Sequence, residues 1–185
     1  MTFSHTHLKS LLAAAIISAS ALTSAQSYGN APGGNTMHSG GDWLRCALGQ
    51  AWNGTTCTGD AKDFTFEEAE KAVAQFNANG GYAGKTDWRL PTIRELITLR
   101  VCSTGLDATM QELEDSEPPV NAMCNENAAK PTTDTAKFPN TAASWFWSST
   151  VVDGKADNTW YVNFNDGFVN NDYQTESYNV RLVRK

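Results

Sequence analysis

Histidine is nearly absent from this sequence: of 185 residues only His5, His7 and His38 are His. A triad of the Ser-His-Asp kind needs an imidazole on a rigid scaffold beside its nucleophile. His5 and His7 lie in an apolar leader and His38 in a Gly-Asn-Ser stretch, so no such site can be assembled. Also missing are a CxxC pair, a Gly-rich phosphate loop, a metal-ligand cluster and any internal repeat. Positive charge is scarce as well. Lys and Arg total 14 against 20 Asp and Glu, a net charge of −6. That balance argues against nucleic acid and against polyanions in general. No apolar run after Leu22 is long enough to cross a bilayer. No enzymatic activity and no cofactor are expected.

What is present starts with an export signal. Lys9, with His5 and His7, gives a weakly cationic start. Leu11 to Leu22 is apolar and uncharged, and Thr23-Ser24-Ala25 is a small-residue cleavage site. A signal peptide over residues 1–25 is expected, with the mature chain starting at Gln26. The alternative is a retained anchor, for which the run is short. Losing Lys9 takes the charge of −6 to −7, and 185 minus 25 leaves 160 residues, one domain's worth.

The four cysteines, Cys46, Cys57, Cys102 and Cys124, all lie in that mature part. An even number in an exported chain reads as two disulfides. Of the three possible pairings, Cys46–Cys57 with Cys102–Cys124 closes two short loops and is the expected one. Zinc is the rival reading, and the spacings and the single mature His speak against it.

In order, residues 26–42 are Gly, Asn and Ser with little apolar content, which reads as a flexible linker or arm with His38 exposed. Trp43 to Gly49 opens the ordered domain as a strand, and turn signals at Asn53-Gly54 and Thr58-Gly59-Asp60 make the Cys46–Cys57 loop a small hairpin over Trp52. Thr65 to Glu68 is a capping box. Phe66, Ala69, Val73 and Phe76 recur at helical spacing, so a helix is expected over 66–78, stopped by Asn79-Gly80-Gly81. Glu67, Glu70 and Lys71 form its solvated face. Trp88 to Pro91 is extended. A second capping box, Thr92 to Glu95, starts a helix over 92–101 with Ile93, Leu96, Ile97 and Val101 inward.

Residues 103–143 form a long acidic loop, tied back by Cys124. Four acids fall between Gln111 and Glu117, where calcium is an alternative to a solvated loop. Strands follow at Trp145–Thr150, Thr159–Phe164, Phe168–Tyr173 and Tyr178–Arg184. Asp166-Gly167 suits a two-residue type I′ turn.

The segments WRLPTIREL (88–96), FWSST (146–150), WYVNFNDG (160–167) and VRLVR (180–184), opened by RCALGQAWNGTTCTG (45–59), stand in an order that resembles a known family. It is the exported bacterial domain family of the C-terminal domain of the Legionella collagen-like adhesin, formerly a domain of unknown function. The resemblance covers about residues 43–185. It implies an α+β, C-type-lectin-like fold related to the formylglycine-generating enzyme scaffold. Two helices would pack on small antiparallel sheets, and the N- and C-terminal strands would pair. The formylglycine activity does not carry over, because no cysteine follows Cys124. Trimerisation through collagen-like repeats does not either, as the repeats are missing, and the acidic charge argues against glycosaminoglycans. Glu117-Pro118-Pro119-Val120-Asn121 matches the lectins' Glu-Pro-Asn calcium signature only loosely, so no obligatory metal is expected.

With Asp166-Gly167 as a two-residue turn, Phe164 faces Val169, Asn163 faces Asn170 and Tyr161 faces Asp172. Trp160, Val162, Phe164 and Val169 then point to the core. Tyr161, Asn163, Phe168, Asn170 and Asp172 share the other face, an aromatic and amide surface that suits a sugar or a protein. A solvated hairpin would carry the same signals. Trp88, Trp145, Trp147 and Trp160 read as packing residues, though Trp145 and Trp147 share a face and one of them could line a groove. Arg89, Arg181 and Arg184 are expected to pair with acids. The reading that results is a secreted or cell-envelope binding module, an adhesin-like domain for a glycan or protein ligand. The alternative is a subunit of a pilus or filament, with residues 26–41 as an arm for self-assembly.

Overall fold

The computed structural model describes residues 34–107 and 123–185. The expected signal peptide, residues 26–33 of the linker and the acidic run from Gln111 to Glu117 lie outside the described residues. In chain order the elements are β1 (Thr36–His38), β2 (Asp42–Leu44), β3 (Ala51–Trp52), β4 (Cys57–Thr58), α1 (Phe66–Ala78), α2 (Ile93–Ile97), β5 (Trp145–Val152), β6 (Lys155–Asn163), β7 (Phe168–Tyr173) and β8 (Val183–Arg184). This is an α+β fold with small antiparallel sheets ordered β1-β2-β8, β3-β4 and β5-β6-β7. No described helix is long and apolar enough to cross a membrane.

The expected pairing of chain ends is present. Trp43 lies opposite Val183 and Asp42 opposite Arg184. The domain starts earlier than expected, however, since Thr36–His38 pairs with Asp42–Leu44. Asn35 is fully buried, and its Oδ1 accepts from the Cys46 N–H at 3.1 Å. The glycines misled here because they serve close approach rather than flexibility. A Cβ on Gly41 would sit 2.9 Å from the Arg184 carbonyl oxygen, and Gly34 lies against the Trp52 indole.

Both capping boxes form. Thr65 and Glu68 exchange hydrogen bonds at the start of α1, and Thr92 and Glu95 at the start of α2. Helix α1 has its expected bounds and buries Phe66, Ala69 and Phe76. Helix α2 ends at Ile97, short of the expected residue 101. The Thr98 hydroxyl donates back to the Glu95 carbonyl at 2.6 Å, and Val101 N–H donates to Thr132 O at 3.0 Å. The long loop thus draws the chain out of the helix. Leu99 takes the inward position, and Val101 is exposed.

Two apolar cores lie on opposite faces of the strands. Phe146, Trp160, Val162 and Val169 face one core with α2, Phe138, Trp43 and Val183. Trp147 and Tyr161 face the other with α1, Trp88, Leu44, Val180 and Leu182. Period-two alternation sends neighbours to opposite sides, so each strand is apolar on both faces. The FWSST segment is the joint. Beyond Trp147, Ser149 N–H donates to Pro91 O at 2.7 Å, and Thr150 Oγ1 accepts from Ile93 N–H at 3.0 Å. The β5–β6 register shifts there, so the bulge docks α2 onto β5.

The tight Asp-Gly turn exists at Asp153-Gly154, between Val152 and Lys155. At Asp166-Gly167 the turn instead spans 164–167, and Asn163 pairs with Phe168, Val162 with Val169 and Tyr161 with Asn170. Phe164 is held out of the ladder, donating to Ser144 O (2.8 Å) and accepting from Thr132 N–H (2.7 Å). Because the slip is two residues, it changes every partner and keeps every face. Gly167, at φ +75°, is required there, since a Cβ would meet Cys124 Sγ at 2.6 Å.

The disulfides are Cys46–Cys57 and Cys102–Cys124, as expected. The last segment is strand only at Val183–Arg184, although the expectation was Tyr178–Arg184. Upstream its backbone bonds to several elements in turn: Tyr178 to Phe64, Asn179 to Trp145 and Trp147, Val180 to Leu48 and Leu182 to Leu44.

Candidate functional site

The expected binding face divides in two. Tyr161 and Asn163 are 7% and 6% exposed, so neither forms a surface. Tyr161 belongs to the α1-side core. Asn163 turns its Oδ1 to the Asn165 N–H at 2.9 Å and caps the turn. Their burial corrects the expectation of a solvated face. Tyr161 meets Tyr178 of the C-terminal segment, whose pairing beside β5 is a long-range contact that spacing alone does not reveal. Phe168, Asn170 and Asp172 remain partly exposed.

The residue that opens the face is Trp145. At 43% exposed it is the outer member of an aromatic group. Its ring stacks on Tyr178 at 5.8 Å with 23° between planes. Tyr178 in turn meets Trp147 at 4.4 Å and Tyr161 at 5.2 Å. Trp145 stands opposite Asn163, which pairs with Phe168, and Trp147 opposite Tyr161, which pairs with Asn170. Trp145 and Trp147 share one face of β5; Phe66 of α1 and Tyr178 pack on Trp147 and bury it, while Trp145 at the start of the strand stays half-exposed.

Polar groups surround the ring pair. Tyr178 OH donates to Asp172 Oδ2 at 2.7 Å, and Tyr173 N–H donates to Asp172 Oδ1 at 2.8 Å. Asn170 Oδ1 accepts from the Asn171 N–H at 2.8 Å. Burial, then the bond to Asp172, raises the Tyr178 phenol well above its ordinary pKa. Burial also raises Tyr161, followed by the charges of Asp172 and Asp166. Both phenols are neutral donors at physiological pH. Past Tyr173, a groove of about 690 Å³ runs to the start of α1, with Glu67, Glu70 and Asp157 in its walls.

Trp88, Trp147 and Trp160 are core residues as expected. Arg89 pairs with Glu95 (2.7 Å), and Arg184 with Asp42 and Asp87 (both 2.7 Å). Arg181 departs from the expectation. It is 1% exposed, and among the described residues no acid pairs with it. Its guanidinium donates to the Leu44 and Arg45 carbonyls and to Thr141 Oγ1, and lies 4.8 Å over Phe138. Burial pulls its pKa down to about 9, so it stays charged at neutral pH. His38 is exposed, with Nδ1 3.1 Å from Asp42. Both cysteine pairs are consumed in disulfides, and no group of three or more His, Cys, Asp or Glu among the described residues could hold a metal.

Fold and site together define a small α+β domain stapled by two disulfides, with a partly open aromatic and polar face. The chain belongs to the Lcl C-terminal domain family, which matches residues 37–184. No curated protein matches it. The matched span begins within β1 and so takes in residues that composition assigned to a linker.

Proposed function

We propose that this is an exported, non-catalytic recognition domain of C-type-lectin-like fold that serves as an adhesin-like module and binds a glycan. The carrying observation is Trp145, half-exposed and stacked on Tyr178, with Asp172 on the tyrosine hydroxyl. A ring face for sugar C–H groups beside fixed carboxylate and amide oxygens is the chemistry that sugar binding uses. A protein partner is supported less well. Among the described residues the exposed large apolar side chains are Val101, Trp145, Val151 and Tyr173, few for a protein interface. Two disulfides suit an oxidising compartment. The filament reading has lost part of its arm, because Thr36–His38 is already paired with β2.

The test is a glycan array with wild type and Trp145→Ala, each with and without calcium. Specific binding that falls at least tenfold in the variant supports the reading, in line with the loss of one stacking platform. An array blank under both conditions removes it. A calcium-dependent rise in melting temperature would contradict the expectation of no obligatory metal.

A further inference from the structure

Resting on that reading, we infer that the ligand of the Trp145–Tyr178 face is an oligosaccharide without anionic groups, bound through hydroxyl or ammonium donors to Asp172. The charge at the ring pair is negative: Asp172 accepts from Tyr178 OH at 2.7 Å, and Asp166 and Glu176 act with it on Tyr161 and Tyr178. The groove beyond Tyr173 continues the pattern with Glu67, Glu70 and Asp157 in a lining without Lys or Arg. The nearby Lys71 is committed to Glu67 at 2.6 Å.

Two cations lie at the other end of the hairpin, on neutral acceptors and away from Asp172 along β7. Arg100 donates to Gly167 O at 3.0 Å, and Lys130 to Asn165 Oδ1 at 3.1 Å. A sulfate or uronate on the ring platform would face Asp172 without a counter-charge. A hydroxyl or ammonium finds instead a carboxylate held in place by Tyr178 OH and Tyr173 N–H, with lone pairs to spare. The face also has length. Phe168 shares a row with Trp145, and Asp172 lies four residues further along β7. At 3.4 Å per residue that is about 14 Å, longer than a single pyranose ring.

The experiment titrates the full chain by calorimetry with cellohexaose, chitohexaose, a fully de-acetylated glucosamine hexamer and a heparin hexasaccharide. The first two are neutral arms, the third is the ammonium arm and the last is anionic. Binding is expected in a neutral or ammonium arm and lost at least tenfold in Trp145→Ala. Trp145→Phe is the second variant, which keeps the stack should the Ala variant misfold. Asp172→Asn keeps an acceptor for Tyr178 OH and removes the charge. It should weaken the ammonium arm more than a neutral one. Heparin binding that depends on Trp145 would overturn the inference and leave the recognition reading intact. Binding of a neutral or ammonium arm that ignores both Trp145 and Asp172 would overturn the site. Silence in every arm, from a chain with its normal melting transition, would overturn the recognition reading itself.

Discussion

Arg181 shows how much one side chain can organise. Its planar fork reaches the Leu44 and Arg45 carbonyls and the Thr141 hydroxyl, tying the C-terminal segment both to β2 and to the end of the long loop. Phe138 and Phe146 cover its faces. Arg181→Met would fill much of the volume and leave those acceptors without their donor. We expect a loss on the order of 3 kcal/mol in urea unfolding. Arg181→Lys should not restore it, because a point ammonium cannot reproduce the fork. A Lys variant as stable as wild type would refute this role. That Arg181 needs a partner was legible from its place in VRLVR. That its partners are carbonyls and rings was not, because these come from residues 35 to 137 positions away in sequence.

At the scale of elements, local chemistry was readable and long-range competition was not. Both capping boxes lie within four consecutive residues, so α1 has its expected limits. The second box does more than start α2. Glu95 caps Thr92 N–H at 2.8 Å and also receives both terminal nitrogens of Arg89 at 2.8 and 2.7 Å. The Arg89 hydrogen bond leads the causes that lower Glu95 from 4.5 to about 2. A carboxylate with a depressed folded pKa stabilises above its unfolded value and loses that effect as pH falls through the folded one. Stability should therefore drop between about pH 4.5 and 2, and Glu95→Gln should flatten that part of the profile. Thermal melts across the range would show it; an unchanged slope would contradict it. The β6–β7 hairpin shows the other side. Asp166-Gly167 has the residues of a tight turn, yet Ser144 and Thr132 hold Phe164 and widen it. Face assignments survived because the slip was even. Exposure did not, because the segment around Tyr178 roofs Tyr161.

For the whole molecule, the two disulfides fasten segments outside the helices and the three-stranded sheets. Cys46–Cys57 closes the β3–β4 hairpin across 11 residues, and Cys102–Cys124 closes the base of the acidic loop across 22. Loop-closure entropy puts each at about 3 kcal/mol. Replacing both cysteines of one pair with Ala should lower stability by up to that amount, read by denaturant unfolding at fixed pH. Peptide mapping without reduction should return these two links, and a Cys46–Cys102 link would contradict them. The order of family segments made the element inventory and the paired ends legible. The two-core arrangement was not, since an apolar run cannot say which neighbour lies on which side.

Strand β7 is the outer strand of its sheet. Its Asn171 and Tyr173 N–H groups are taken by the side chains just before them, Asn170 and Asp172. An edge with donors already taken in this way is a poorer template for another chain. Two copies of this chain would thus gain little by extending the sheet past Asn171 and Tyr173.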